Sequence, residues 1–166
     1  MSDFHTPLCD LLGSRYPIVQ TGMGYVTGSD LVAATTNAGG FGFLAGATIA
    51  ADQIEAEISR VRELTGDKPF GLNFHMFQPN AAQLLDLAVK HRIRAVSYGR
   101  GPDKKVIGRL RDAGIVCMPT VGALKHAQKA IEMGANVITI QGAEGGGHTG
   151  SVPTSVLLPQ VVDAVK

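Results

Sequence analysis

The chain has 166 residues, 45% apolar and 17% charged, with a formal net charge of +1. That balance supports a real hydrophobic core and argues against nucleic acid as the main partner, which normally calls for a basic excess or stripe. No apolar run reaches the ~20 residues of a membrane span, the start Met1-Ser-Asp-Phe-His-Thr-Pro7 lacks the regions of a secretion signal, and Cys9 and Cys117 lie too far apart for a disulfide framework or zinc site.

A reducing cytoplasm and no membrane partner are therefore expected. One unit then repeats along the chain: a short apolar run, a glycine or polar loop, and an amphipathic stretch that ends near glycine. Pro17-Ile-Val-Gln-Thr-Gly22 precedes a helix over 29–38, with Ser29 or Asp30 as N-cap and Gly39 beyond its end. Gly42-Phe-Leu-Ala-Gly46 leads into a helix over 51–64, where Ile54, Ile58, Val61 and Leu64 share one face. Phe70-Gly-Leu-Asn-Phe74 precedes a helix over 80–90, for which Asn80 is the expected cap. Ala95-Val-Ser-Tyr98 precedes a helix over 103–113, capped by Asp103 and stopped by Gly114. Ile115-Val-Cys-Met118, with Cys117 as a small core residue, precedes a helix over 123–133 stopped by Gly134. The run Val137-Ile-Thr-Ile140 comes before a glycine loop and a last helix over 154–165.

Alternating strands and helices of these lengths imply parallel strands joined by outer crossover helices, and nearly uniformly apolar strands imply burial on both faces. An open doubly wound sheet and a (β/α)8 barrel both fit that pattern. No long connection marks a reversal of strand order. The polar and glycine residues collect after the strands: Gly22-Met-Gly24, Asn73-Phe-His75, Tyr98-Gly-Arg100, Thr120 and Gln141–His148. In a barrel those loops share the face where active sites lie, so the barrel is the expected architecture. Gly40-Phe-Gly-Phe-Leu-Ala45 formally fits a dinucleotide fingerprint, but it runs into a strand instead of opening a helix after one.

The loop Gln141-Gly-Ala-Glu-Gly-Gly-Gly-His148-Thr-Gly150 carries the most chemistry. It brings an amide, a carboxylate and an imidazole to the end of an apolar strand, among glycines that allow a flat ligand close to the backbone. Three consecutive glycines lose much entropy on ordering, so packing alone is a poor reason for them. Glu144 either orients His148 or faces solvent; His75 either lines a substrate pocket or caps its strand. Met23 is core filler or a ligand-facing wall, and Arg100 meets an anionic substrate group or is solvated. His5, His91 and His126 read as surface residues.

Pro17-Ile-Val-Gln-Thr-Gly-Met23, Asn37-Ala-Gly-Gly-Phe-Gly42, Pro69-Phe-Gly-Leu-Asn73 and the 141–150 loop together resemble the nitronate monooxygenase (2-nitropropane dioxygenase-like) family. That family is similar to the FMN-dependent enoyl-ACP reductase II enzymes and to some NADH:quinone reductases. The resemblance covers essentially the whole chain in order. It implies an FMN-binding TIM barrel of α/β class, a small-molecule substrate and, for nitronate-oxidising members, O2. Carried over by position, it implies flavin contacts from Gly22, Met23, Asn73, Gln141, Gly146 and Gly147, with no metal. Asn73 and Gln141 bear amides that donate and accept at once. His148 would be the catalytic base, since an imidazole titrates near neutrality and can take a proton from a weakly acidic C–H.

Such a barrel usually needs about 250 residues, and six β/α units are legible here. Residues 1–166 are thus expected to form one N-terminal part of an FMN barrel, with strands 7 and 8 and their phosphate-binding loops outside it. The barrel would then be completed by a longer chain, a second chain or self-association. Three other readings stay open: an NAD(P)H-driven reductase of enoyl thioesters or quinones, a flavin-free lyase or isomerase using His148 and Glu144, and a non-catalytic half-barrel that pairs with a partner.

Overall fold

The computed structural model describes residues 4–100 and 102–165. The first three residues of the segment read for a leader, and Gly101 of the Tyr98–Pro102 turn, lie outside them. Six strands follow one another in chain order and alternate with helices, the α/β arrangement of a TIM-type barrel through six of its units. The chain divides into two compact units, Met1–Ser97 and Tyr98–Lys166.

The first unit opens with α1 (Pro7–Leu12), which the strand–helix periodicity does not announce. Proline sits at its first turn and Gly13 closes it in the left-handed region at φ 74°, as those two residue types favour. Strand β1 (Val19–Gln20) pairs in parallel with β2 (Phe41–Ala45), which pairs with β3 (Gly71–His75) in the register Ala45 opposite Asn73. Helices α2 (Ser29–Asn37), α3 (Ile54–Thr65) and α4 (Ala81–Lys90) connect them, and β4 (Ala95–Gly99) carries the boundary between the units.

Glycines let these layers approach. A methyl group at Gly42 would stand 2.9 Å from the carbonyl oxygen of Val32, and one at Gly71 would lie 2.2 Å from the ring of Phe43. Phe41 and Phe43 meet edge to face at 5.1 Å and are fully buried, each worth about 1.5–3 kcal/mol of transfer free energy. On α3, Ile54, Ile58 and Val61 are buried as their spacing predicts, but Leu64 is exposed and Thr65 takes the buried place. The N-cap of α2 is the backbone of Gly28, not Ser29 or Asp30. Asn80 does occupy the cap position of α4, yet its side chain makes no capping bond; its Oδ1 accepts from Gln78 Nε2 at 2.5 Å. His91 is not a surface histidine: its ring is largely covered and meets Glu55 at 2.8 Å, where Lys90 Nζ also bonds the same carboxylate.

The second unit holds α5 (Lys104–Asp112), β5 (Val116–Val121), α6 (Leu124–Glu132), β6 (Thr139–Ile140) and α7 (Thr154–Ala164). Asp103 caps α5 as its sequence position predicts, accepting from the backbone N–H groups of Lys105 and Val106. Gly114 and Gly134 follow α5 and α6 with φ of 70° and 90°, where a side chain would be strained. β5 and β6 pair in parallel through Thr120 opposite Thr139 and Val121 opposite Ile140. Val121, Ala127, Leu157 and Val161 form the core beneath them. Cys117 is fully buried, as its apolar setting implies, and its thiol hydrogen-bonds with the Tyr98 hydroxyl. No helix among the described residues is long and apolar enough to cross a membrane.

Candidate functional site

In the first unit, the loop after β1 is ordered by two threonines. Thr27 Oγ1 accepts from the Met23 N–H at 2.9 Å and donates to the Thr21 carbonyl at 3.4 Å, while Thr48 Oγ1 accepts from the Tyr25 N–H at 3.1 Å. This clasp places Gly22 directly against Asn73: a methyl group at Gly22 would fall 2.6 Å from both Asn73 Cβ and Oδ1. Asn73 Nδ2 donates to the Ser97 carbonyl at 3.2 Å and reaches Ser97 Oγ at 3.4 Å. Its Oδ1 accepts no hydrogen bond among the described residues. One side of the Asn73 amide is thus tied to Ser97 of the neighbouring strand.

Met23 is not core filler, being 40% exposed, and Tyr25 beside it is 94% exposed with a left-handed backbone at φ 62°. Gln20 is a polar residue that the sequence does not single out. Its Nε2 donates to the Thr21 carbonyl and to Phe43 O, whereas its buried Oε1 has no partner among the described residues. The signal lies in its position, the one polar side chain before Thr21 in an otherwise apolar strand. His75 stands at the end of β3, where Gln78 folds back so that its Oε1 accepts from the His75 N–H at 2.9 Å.

In the second unit, the glycine loop after β6 is internally braced. Gln141 N–H donates to Val121 O at 2.9 Å, Ala143 N–H to Val152 O at 2.9 Å, and Gln141 Nε2 to Gly146 O at 2.7 Å. Four of its glycines have internal reasons. A methyl at Gly142 would strike the Thr154 backbone nitrogen at 2.5 Å, one at Gly145 would meet the Gln141 side chain at 2.8 Å, and one at Gly150 would meet Gln141 O at 2.8 Å; Gly147 has φ 70°. Gly146 has neither excuse: nothing lies within 4 Å of the space a methyl would fill. His148 is exposed on this loop. Arg100, in the turn after β4, is exposed with φ 76°.

The Glu144 carboxylate is bonded to the start of α7. Its Oε2 accepts from Thr154 N and from Thr154 Oγ1, both at 2.8 Å, and so caps α7 from ten residues upstream. The backbone N–H of Thr154, then its hydroxyl, hold the Glu144 carboxyl below its ordinary value. An anionic oxygen thus sits at the positive end of that helix. Within the first unit, Asn73 Oδ1 beside Gly22 is an acceptor that suits the edge N–H of a flat heterocycle. No group of residues among those described could hold a metal ion.

The nitronate monooxygenase family profile matches residues 5–89 and 80–166. The chain belongs to the nitronate monooxygenase family. It is 48% identical over 160 residues to the (3aS,4S,5R,7aS)-5-hydroxy-7a-methyl-1-oxo-octahydro-1H-indene-4-carboxyl-CoA dehydrogenase of Mycobacterium tuberculosis, covering 96% of this chain and 45% of that protein. Among solved structures, FabK from Thermotoga maritima is similar with TM-score 0.93 and 33% identity over 98% of this chain and 52% of that one. The nitroalkane oxidase from Streptomyces ansochromogenes is similar with TM-score 0.86 and 32% identity over 97% and 58%. The chain spans about half the length of the relatives it matches.

Proposed function

We propose that this chain forms part of a flavin-dependent oxidoreductase, with FMN as the flavin, that oxidises a ring-bearing carboxyl-CoA thioester. The observation that carries the substrate class is the 48% identity to the indene-carboxyl-CoA dehydrogenase over 96% of the chain. When bound, the flavin supplies the two-electron acceptor, and the protein supplies orientation. Asn73, beside Gly22 and Met23, would hold the flavin through its amide oxygen, and Gln141, Gly146 and Gly147 would hold it from the glycine loop. His148 takes a proton from the carbon next to the thioester carbonyl, whose acidity the carbonyl raises.

A second reading is oxidation of alkyl nitronates with O2. It is favoured by the family profile and by the likeness to the nitroalkane oxidase. A nitro group acidifies the adjacent C–H in the same way, so His148 would keep its role. The two readings separate by stopped-flow absorbance of the full-length protein under anaerobic conditions. Rapid bleaching of the visible flavin band by the ring CoA thioester is expected, with slower bleaching by an alkyl nitronate. The reverse order selects the second reading, and rapid bleaching by NAD(P)H selects a reductase. A colourless protein that FMN cannot reconstitute overturns both.

A further inference from the structure

At the end of β3 opposite Asn73, a cavity of about 330 Å³ opens between the loops that follow α3 and α4. Four cationic side chains line it, Arg62, Lys68, Arg92 and Arg94, against the single carboxylate of Asp67. Elsewhere in this unit, cations find acidic partners: Arg60 pairs with Asp30 and Lys90 with Glu55. The four around the cavity do not form ion pairs among the described residues. Three of them are held by neutral acceptors instead. Arg62 Nη2 donates to His91 O, Lys68 Nζ to Asn37 Oδ1 at 2.8 Å, and Arg94 Nε to Leu11 O at 2.8 Å. Neutral acceptors fix the positions of these three charges without neutralising them.

Asp67 and Arg92 have φ of 61° and 47°, a left-handed conformation that aspartate tolerates and arginine rarely adopts. Both follow the ends of helices, α3 and α4, where the chain commonly turns through this region. Phe70, buried at the head of β3, supplies an apolar floor. The volume lies in the range of small-molecule pockets, and clustered guanidinium forks match phosphate oxygens.

We propose that this cavity is a binding site for a small phosphate-bearing ligand, distinct from the loops that carry Gly22 and Asn73. The ligand's phosphate sits among Arg62, Lys68, Arg92 and Arg94, and no bond is made or broken there. The β3 strand separates the two places by roughly 10 Å of chain, so a compact ligand here does not reach the Asn73 end. The site therefore acts on the protein as an effector or anchoring site. It stands whether or not the flavin reading does.

Calorimetric titration of the full-length protein tests it, with inorganic pyrophosphate, ATP and coenzyme A as separate probes. Saturable binding of pyrophosphate that weakens as salt is raised is expected; tighter binding of ATP or coenzyme A identifies a nucleotide source over a free anion. Arg92→Gly should weaken binding at least five-fold while melting temperature holds or rises, because glycine relieves the left-handed backbone. Lys68→Gln should weaken it as well, and flavin content should be unchanged in both. The proposal is overturned by absence of binding at millimolar probe, by unchanged affinity in both variants, or by a poly-glutamate peptide that outcompetes pyrophosphate.

Discussion

Gly22 and Asn73 occupy one steric slot: a methyl on the glycine would overlap Cβ and Oδ1 of the asparagine at 2.6 Å. Gly22→Ala should therefore destabilise by about 1–3 kcal/mol, as overpacking does. Removing Oδ1 with Asn73→Ala leaves the Cβ overlap in place, so a double-mutant cycle in urea should show only partial rescue. Full additivity of the two losses would mean that the slot relaxes elsewhere.

Gly146 and Gly142 give opposite expectations within one loop. Gly146→Ala should leave thermal stability within about 0.5 kcal/mol, because open space surrounds it, yet reduce flavin retention of the full-length protein. Gly142→Ala should cost about 2 kcal/mol or more through collision with Thr154. Equal flavin retention in wild type and Gly146→Ala would remove Gly146 from the proposed contacts.

The Glu144 clamp on Thr154 predicts a pH signature. Its carboxyl is held below the ordinary 4.5 by the Thr154 N–H and hydroxyl, so the charged form is the one that stabilises the fold. That contribution is fully present above pH 4.5 and disappears as pH falls through the lowered value. Wild type should lose more melting temperature between pH 6 and pH 3 than Glu144→Gln does. Parallel melting curves for the two proteins would show that the clamp carries no stability.

Burial pushes the Cys117 thiol up to about 11, with the Tyr98 hydroxyl bond opposing the rise. Thiolate is therefore scarce at neutral pH, and Cys9 is 99% covered as well, being 1% exposed. Ellman's reagent at pH 7.5 should label neither cysteine on the native timescale and both in guanidinium. Prompt native labelling of one thiol would reveal local opening.

His148→Asn should lower kcat/KM of the full-length protein by about 10²–10⁴, with flavin binding retained, if its imidazole takes the substrate proton. Loss of less than ten-fold would assign that proton to another group.

Much of the architecture could be read from residues alone because burial is periodic. The runs around Phe43, Phe74, Tyr98 and Met118 became strands, and Asp103 capped its helix, since those choices depend on near neighbours in sequence. Helix α1 escaped notice because six residues give too little period. Strand β6 is shorter than Val137–Ile140, whose first residues instead lie along β5, with Val137 N–H on Cys117 O at 3.2 Å. In the candidate site, the glycine loop and Asn73 were visible as residue types out of keeping with packing. The capping role of Glu144, the buried oxygen of Gln20 and the cation-lined cavity were not. Each depends on groups that are distant in sequence, such as Glu144 with Thr154 or Lys68 with Asn37, and no local pattern encodes them.

Gly122 and Gly150 bring their backbones so close that a methyl on Gly122 would sit 3.1 Å from the α-carbon of Gly150. With Ala143 tied to Val152, this seals the stem of the 143–150 excursion. The excursion is thus closed at its base like a drawstring, so a change of sequence within it has little leverage on β5, β6 or α7.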